Sequence, residues 1–391
     1  MRYFPKLTGA VMAAGLFLAA APAPARAVPI TPTHDDEVIE VLPATSAARS
    51  QDRATRKSLA NDPKDVGLAL SVAKRYFDEA HASGDPRYVG LAMSALQPWT
   101  DPASSPTDVL LMRATLQQYL HEFDASVANL RLLLARPDGS RNAQARLTLA
   151  TVLRVQGLYD ESDAACREIA GAGAQIYAAA CLAENQALRG NVVAARKSFE
   201  SMLADPLLPP ATRGWLWTSL AELEERDGRT GAADAAYRGV LRLGPDSYAA
   251  LAYADFLIRQ RRPAEALRVL KDEVRTDPVL LRLAIAGAMA KAPGSERDAT
   301  EMRDRIALAN ERPDARIFHG REQSMFALAI EHDPAKALEL ARGDVAQQRE
   351  PLDLLVFAEA ARASGNAAAI EEVRGLKAKV GLHDRRIDAL L

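Results

Sequence analysis

The sequence predicts an all-α protein made of stacked helical hairpins, an α-solenoid. Two observations predict this fold. A fixed spacing of small residues recurs along most of the 391-residue chain, in units displaced by about 33 to 38 residues, and a period of that length indicates a repeat architecture. Aromatic residues make up only 5% of the chain while alanine is abundant, a composition typical of closely packed helices.

Residues 214–246 form the clearest unit. The first predicted helix ends at Asp227 and Gly228, and the second ends at Gly244 and Pro245. The first helix carries Trp217, Leu220 and Ala221 on successive turns, and the second carries Ala233, Tyr237 and Val240 at spacings of four and three, so that they share a face. The unit is therefore predicted to be a pair of antiparallel helices.

A small residue on the first helix of each unit is followed 12 residues later by a small residue on the second. The pairs are Ala114 with Ser126, Ala150 with Ser162, Ala183 with Ala195, Ala221 with Ala233, and Ala254 with Ala266. Helix axes approach to about 8 Å only where small side chains lie at the contact. These pairs are predicted to mark the point where the two helices of each hairpin pack together.

The unit resembles the tetratricopeptide repeat family. Its matches to the positions that this family keeps are Trp217, Leu220, Ala221, Ala233, Tyr237 and Pro245. It departs from the family at Glu224, where a tyrosine is usual, and at Val240, where alanine is preferred. The resemblance is clearest over residues 107–275 and implies a right-handed superhelix of about nine or ten hairpins that binds other proteins.

The start of the chain has the pattern of a secretory signal peptide, residues 1–27. Arg2 and Lys6 precede an apolar run over 7–21, and Ala25, Arg26 and Ala27 supply the small-residue pattern of a cleavage site after Ala27. We therefore expect a periplasmic protein. No later stretch reaches the roughly 18 unbroken apolar residues of a membrane span, so no transmembrane segment is expected after signal cleavage.

Three further regions are predicted beyond the signal peptide. Residues 28–60 have the composition of a flexible acidic leader with a capping helix, residues 61–277 contain the repeats, and residues 278–391 contain degenerate repeats with a C-terminal cap. The predicted helices of the last region are 279–291, 297–310, 316–331, 335–348, 352–363 and 367–378. The net charge is −2 without a basic block, which argues against a nucleic-acid partner.

The catalytic motifs that sequence inspection can find are absent, including phosphate-binding glycine loops, zinc-protease helices and nucleophile elbows. The six histidines are scattered without the spacing of metal ligands. We therefore predict no catalytic residue, metal or cofactor. An alternative is an enzyme or a binder of metal or a small molecule in which His319, Glu322 and Glu331 converge.

The two cysteines, Cys166 and Cys181, fall on neighbouring predicted helices in a chain expected to be exported. An even pair of cysteines in an oxidising compartment is compatible with a disulfide. The alternative is two buried thiols that act as small apolar residues.

One stripe of the first helices, at positions 2 and 9 of the repeat, carries a regular pattern. Position 2 is Tyr177, Trp215 and Tyr248 in three consecutive repeats, and position 9 is Glu184, Glu222 and Asp255. In the tetratricopeptide repeat family this stripe lines the concave peptide-binding groove. The resemblance thus implies an aromatic ladder beside an acidic one, suited to an extended segment with basic and apolar side chains.

The predicted function is a non-catalytic protein–protein interaction scaffold of the cell envelope that binds an extended segment of a protein partner in this groove. Under one alternative, the aromatic residues wedge between repeats and the acidic residues form an ordinary solvated face. Under others, the protein binds a small molecule, a metal or a cell-wall polymer, with sugars stacked on Trp215 and Tyr248, or it is an enzyme accessory subunit.

Overall fold

The computed structural model describes residues 47–311 and 320–391. The predicted signal peptide and the predicted leader up to residue 46 lie outside the described residues. The first described helix is α1, Ala47–Asn61. Residues 54–391 form one compact unit.

Nine helical hairpins follow α1 along the described part of the chain, and each consists of a first helix and a second helix. They are α2 Val66–Ser83 with α3 Arg87–Ala95, α4 Thr107–Tyr119 with α5 Phe123–Leu134, α6 Ala143–Val155 with α7 Tyr159–Gly171, α8 Gln175–Leu188 with α9 Val192–Leu203, α10 Pro210–Arg226 with α11 Thr230–Leu241, α12 Ser247–Arg259 with α13 Pro263–Leu270, α14 Asp277–Ala290 with α15 Ser295–Asn310, α16 Gly320–Phe326 with α17 Pro334–Asp344, and α18 Pro351–Ala363 with α19 Ala367–Val380. A π-helical turn, Ala327–Glu331, extends α16, and a short helix α20, Arg385–Asp388, closes the chain.

The predicted all-α solenoid fold is confirmed, since the described residues contain helices and no strand. Each first helix from α2 to α16 packs against the first helix of the next hairpin, as a solenoid requires. A helix occupies each place predicted downstream of residue 278, although the predicted 316–331 helix begins in residues that the structure does not describe. No helix among the described residues has the length and apolar character needed to cross a membrane.

The two helices of a hairpin meet at the small residues that the 12-residue spacing marks. Ser126 Oγ donates a hydrogen bond to the carbonyl of Ala114 at 2.8 Å, and Ser162 Oγ donates to the carbonyl of Ala150 at 2.7 Å. These four residues are fully buried. The hydroxyl groups are thus satisfied by the partner helix, and a bulkier side chain at these places would separate the two helices.

Glu224, the departure from the family pattern, has a specific partner. It is 3% exposed, and its carboxylate accepts two hydrogen bonds from Arg196 of α9, at 2.6 and 3.0 Å. Arg196 also donates to Asp227 at 2.9 Å. A bidentate arginine–carboxylate pair between neighbouring hairpins therefore replaces the aromatic residue that the family uses.

The solenoid curves so strongly that its later hairpins reach the edge of the earlier ones. Gly84 lies against Thr276, the turn after α6 accepts hydrogen bonds from Arg349, and Gly190 lies against His383. In each case the two residues are about 193 positions apart. One superhelical turn therefore takes between five and six hairpins, and the second turn stacks on the first along a line of contact that we call the seam.

The seam is held where helices of the first superhelical turn end. Val155 and Leu188 are the last residues of α6 and α8, and their carbonyls accept hydrogen bonds from the backbone N–H groups of Arg349 and His383, both at 2.7 Å. The Arg349 guanidinium also donates to the carbonyl of Gln156 at 3.0 Å. Carbonyls at a helix C-terminus lack partners within the helix and carry partial negative charge, so the second turn caps the helices of the first.

Apolar packing reinforces these caps. Tyr159 and Leu188 of the first superhelical turn belong to the same buried cluster as residues of α17 to α20, among them Leu382 and Ile387. The C-terminal hairpins therefore share a hydrophobic core with residues that precede them by about 200 positions.

Gly157 tests the seam, because its φ is +76° and an added Cβ would lie 2.7 Å from Val380 Cγ1. Gly365 is the matched control, with a φ of +64° and no neighbour within 4 Å of an added Cβ. We expect Gly365→Ala to lower the free energy of unfolding by about 1 kcal/mol through the left-handed backbone alone. Gly157→Ala should lose a further 1–3 kcal/mol, roughly, because the added methyl overpacks the seam. Urea denaturation measures the unfolding free energy of both variants. Equal losses would show that Gly157 does not pack against Val380 at the seam.

Cys166 of α7 and Cys181 of α8 are joined by a disulfide in the structure, with their Cα atoms 5.7 Å apart. Both residues are fully buried. The bond links two consecutive hairpins, and its two cysteines are 15 residues apart in sequence.

Removing this bond is expected to destabilise the protein. For a loop of this length the chain-entropy model gives about 3 kcal/mol, so the double variant Cys166→Ala/Cys181→Ala should lose roughly that amount of unfolding free energy. Thiol titration of the unfolded, unreduced wild type should find no free thiol. Two titratable thiols would show that the cysteines are not bonded.

Candidate functional site

The first helices of the later hairpins surround a cavity of about 260 Å³ inside the superhelix, which we call the lumenal cavity. It lies between α10, α12 and α14 on one side and α16, α18 and α20 on the other. Its lining residues are Glu222, Glu225, Arg226, Tyr237, Tyr248, Leu251, Ala252, Asp255, Arg259, Pro278, Arg282, Arg321, Glu322, Glu350, Pro351, Leu352 and Arg386. The wall thus combines ten ionisable acid and arginine side chains with an apolar surface.

A second, larger cavity of about 500 Å³ adjoins the first and shares Glu225, Asp255, Arg259, Leu352 and Arg386 with it. Its remaining wall is mainly apolar, with contributions from Ile258, Ile285, Met289, Met325, Leu328, Leu355 and Val356. The two cavities together form a lumen that is polar at one end and apolar at the other.

Most charges of the lumenal cavity are held in hydrogen-bonded ion pairs. Arg282 donates to both oxygens of Asp255, at 2.9 and 2.8 Å, and all but a few per cent of each residue is buried. Arg259 donates to Glu225 at 2.8 Å, and Arg386 lies 3.2 Å from the same carboxylate. These two guanidinium groups hold the pKa of Glu225 below its usual range, against the burial that raises it. The carboxylates of Glu225 and Asp255 are therefore paired with arginines inside the protein.

A second network crosses the lumen at Arg321. Its guanidinium lies 2.9 Å from Asp353 and 3.1 Å from Glu350. Asp353 is completely buried, and Gln348 Nε2 donates hydrogen bonds to Asp344 at 3.1 Å and to Asp353 at 3.5 Å. Burial raises the pKa of both aspartates, that of Asp344 to about 6, because an ionised carboxylate is poorly solvated there. The nearby charge of Glu322 raises the pKa of Asp344 further, and those of Glu350 and Asp344 raise the pKa of Asp353.

The three aromatic residues predicted at position 2 lie on the first helices of consecutive hairpins, α8, α10 and α12. The rings of Tyr177 and Trp215 stack at a centroid distance of 5.9 Å, and Tyr248 is 65% exposed. Tyr248 donates its hydroxyl to Glu222 at 2.8 Å. We call Tyr177, Trp215 and Tyr248 the aromatic strip. Its exposed rings could stack on a ligand, because only part of their surface is used inside the protein.

The acidic residues predicted at position 9 do not form an exposed ladder. Glu184 accepts hydrogen bonds from Trp215 Nε1 and Ser219 and lies 2.5 Å from Arg154. Asp255 is buried with Arg282. Arginines of neighbouring hairpins therefore already pair with these two carboxylates, which leaves little of either open to a partner. Glu222 retains the most accessible surface of the three, with its side chain 30% exposed.

Arg226, which sequence reasoning did not single out, lines the same cavity. Its nearest carboxylate oxygen, Oε2 of Glu222, lies 3.8 Å from Nη1, which is beyond hydrogen-bond range. Its Nε is buried without a hydrogen-bond partner. The sequence signal that could have identified Arg226 is its place four residues after Glu222, the acid at position 9 of the repeat.

The alternative site at His319, Glu322 and Glu331 is not assembled by the residues that the structure describes. His319 lies outside the described residues, Glu322 is 3.2 Å from Arg321 in the lumen, and Glu331 is 2.8 Å from Lys336 at a turn. Across residues 47–311 and 320–391, no group of three or more histidine, cysteine, aspartate or glutamate side chains is arranged to hold a metal ion.

The fold and the lumen define a helical-repeat protein built of hairpins like those of the tetratricopeptide repeat. Similar solved structures include a tetratricopeptide repeat protein from Parabacteroides merdae, 15% identical, with coverage of 62% of this chain and 86% of that chain and a TM-score of 0.44. Yeast Tom70 is also similar, at 10% identity, with coverage of 85% and 81% and a TM-score of 0.39. No family model matches the sequence, and no curated protein matches it significantly.

Asp344, beside Arg321, gives the stability of the protein a measurable pH dependence. Its pKa in the fold exceeds the value near 4 of an unfolded aspartate, so the unfolded chain ionises first and stability falls as pH rises from about 4 to 6. We expect Asp344→Asn to be more stable than the wild type by about 1–2 kcal/mol at pH 7, and the difference to vanish near pH 4. Urea denaturation across this range measures it. The exposed Asp272→Asn is the control, and an equal gain at both pH values would contradict the assignment.

Proposed function

We propose that this protein is a non-catalytic protein–protein interaction scaffold that acts in the periplasm after export by its signal peptide. Its binding surface is the aromatic strip together with Glu222, and its partner is an envelope protein with an extended segment. The observation that carries the proposal is the repetition of an accessible aromatic ring at the same place in three consecutive hairpins.

The chemistry of the strip favours a segment with apolar and basic side chains. Tyr177 is 37% exposed and stacks on Trp215, which is half-buried, so the two rings are fixed by packing rather than free to rotate. Rigid aromatic residues supply contact area at low entropic cost, and they are enriched in the residues that dominate interface energies. Glu222 adds negative charge at one end of the strip, where a lysine or arginine of the partner would bind.

The fold favours binding without rearrangement. The strip is carried on α8, α10 and α12, whose hairpins are fixed by the buried pairs Arg196–Glu224 and Arg282–Asp255 and by the Cys166–Cys181 bond. A preformed surface does not have to be ordered on binding, so more of the contact energy remains as affinity.

Capture of partners from a periplasmic extract tests this proposal. Tyr177→Ala/Trp215→Ala should reduce the amount of captured partner at least tenfold, because the two rings form the centre of the strip. The control is Val193→Ala/Leu308→Ala, which removes two exposed apolar side chains elsewhere on the molecule and should leave capture unchanged. Crosslinking from position 248 with mass spectrometry identifies the partner. Retention of every wild-type partner by the strip variant would show that this surface is not used.

A further inference from the structure

Arg226 is unlike the other four arginines of the lumenal cavity. Arg259, Arg282, Arg321 and Arg386 each have a nitrogen within 3.0 Å of a carboxylate oxygen, on Glu225, Asp255, Asp353 and Asp384 respectively. Arg226 is only 8% exposed, yet across residues 47–311 and 320–391 its single ion pair is the 3.8 Å approach to Glu222. A buried guanidinium is costly unless hydrogen bonds replace its hydration, and Arg226 Nε finds no acceptor in the part of the chain that the structure describes.

A ligand with an anionic oxygen would satisfy Arg226. A carboxylate accepts charge-assisted hydrogen bonds from a guanidinium, and such bonds are stronger than those between neutral groups.

Glu222 provides the opposite charge beside Arg226. Among the described residues, its carboxylate accepts one hydrogen bond, from Tyr248, and has one ion-pair partner, the guanidinium of Arg226 at 3.8 Å. The remaining lone pairs of a carboxylate suit an ammonium group. An under-paired cation and an under-paired anion thus lie side by side at the wall of the cavity, which is the complement of a small zwitterion.

The rest of the cavity suits an apolar group. Leu251, Pro278, Pro351, Leu352 and the Tyr248 ring contribute its uncharged surface. Its 260 Å³ corresponds to about nine water molecules at the roughly 30 Å³ that each occupies in the liquid, which is the size range of one amino acid. Tyr248, which lines the cavity, is 65% exposed, so part of the cavity wall is in contact with solvent.

We propose that the lumenal cavity binds a free α-amino acid with an apolar side chain, whose carboxylate pairs with Arg226 and whose ammonium group pairs with Glu222. The site does not depend on the aromatic strip binding a protein. It assigns the protein a solute-binding activity in addition to its proposed role as a scaffold.

Calorimetric titration of the purified full chain tests the site. The probes are the L and D forms of leucine, methionine and phenylalanine, with leucine amide and N-acetyl-leucine as matched compounds that each lack one charge. At least one free amino acid should bind saturably, and both blocked forms of leucine should bind at least tenfold more weakly than leucine itself. Absence of saturable binding across the panel, or equal binding of the blocked forms, would overturn the proposal.

Substitutions of Arg226 and Glu222 test whether these two residues bind the charged groups of the amino acid. Arg226→Gln and Glu222→Gln should each weaken binding at least tenfold, while Arg297→Gln, which removes an exposed arginine, should not. Circular dichroism establishes that each variant is folded. If Arg226→Gln does not fold, Glu222→Gln and the blocked leucines still decide the matter, since they leave Arg226 in place. Unchanged affinity in a folded variant would refute the site. So would a crystal structure of the protein with the amino acid in which only ordered water contacts Arg226.

Protein binding at the aromatic strip and amino-acid binding in the lumenal cavity can be tested independently of each other. Tyr177→Ala/Trp215→Ala removes no residue that lines the cavity, so it should bind the amino acid like the wild type even where it loses its protein partner. Weakened amino-acid binding in that variant would place the ligand at the strip instead of the lumen.

Discussion

The close approach of the two helices within each hairpin is the contact on which the rest of the structure depends. It is possible because the side chains at the crossing point are alanine or serine, as in the Ser126–Ala114 hydrogen bond. Each hairpin then packs on the next in the same way, so small rotations add along the chain. After about 193 residues the accumulated rotation brings the chain back over its own edge.

The seam turns a curved surface into an enclosed lumen, and the enclosure determines the electrostatics. An open concave face can leave its charges in water, where pairing is optional. Inside the second superhelical turn, Asp255 is 5% exposed and Asp353 1% exposed, so each requires a guanidinium partner. Arg282 and Arg321 meet that requirement through bonds of 2.9 Å. Arg226 stands out against this background because burial demands an acceptor for its Nε that the described residues do not provide.

Local spacing was sufficient to predict the hairpins, because the residues that pack within one hairpin lie 12 positions apart and share one turn. The seam could not be predicted in this way, since the contact of Arg349 with Gln156 depends on the sum of rotations over more than five hairpins. The groove was predicted in part. The aromatic strip follows from the family's register, but the partners of Glu184 and Asp255 lie on neighbouring hairpins. Arg154 precedes Glu184 by 30 residues and Arg282 follows Asp255 by 27, so both pairings lie beyond the reach of reasoning within a single repeat.

The strip and the lumen are two surfaces of one wall, and Tyr248 belongs to both. Its ring contributes to the strip while its hydroxyl donates to Glu222 of the cavity at 2.8 Å. An ammonium group bound to Glu222 would draw on the same carboxylate as that hydroxyl, so ligand binding would change what holds the Tyr248 ring in place. If solute binding changes the affinity of the strip for a protein partner, partner binding changes the affinity of the lumen for the solute by the same factor, because coupling between two binding sites is reciprocal. A scaffold with this arrangement would bind its protein partner with an affinity that depends on the solute in its lumen.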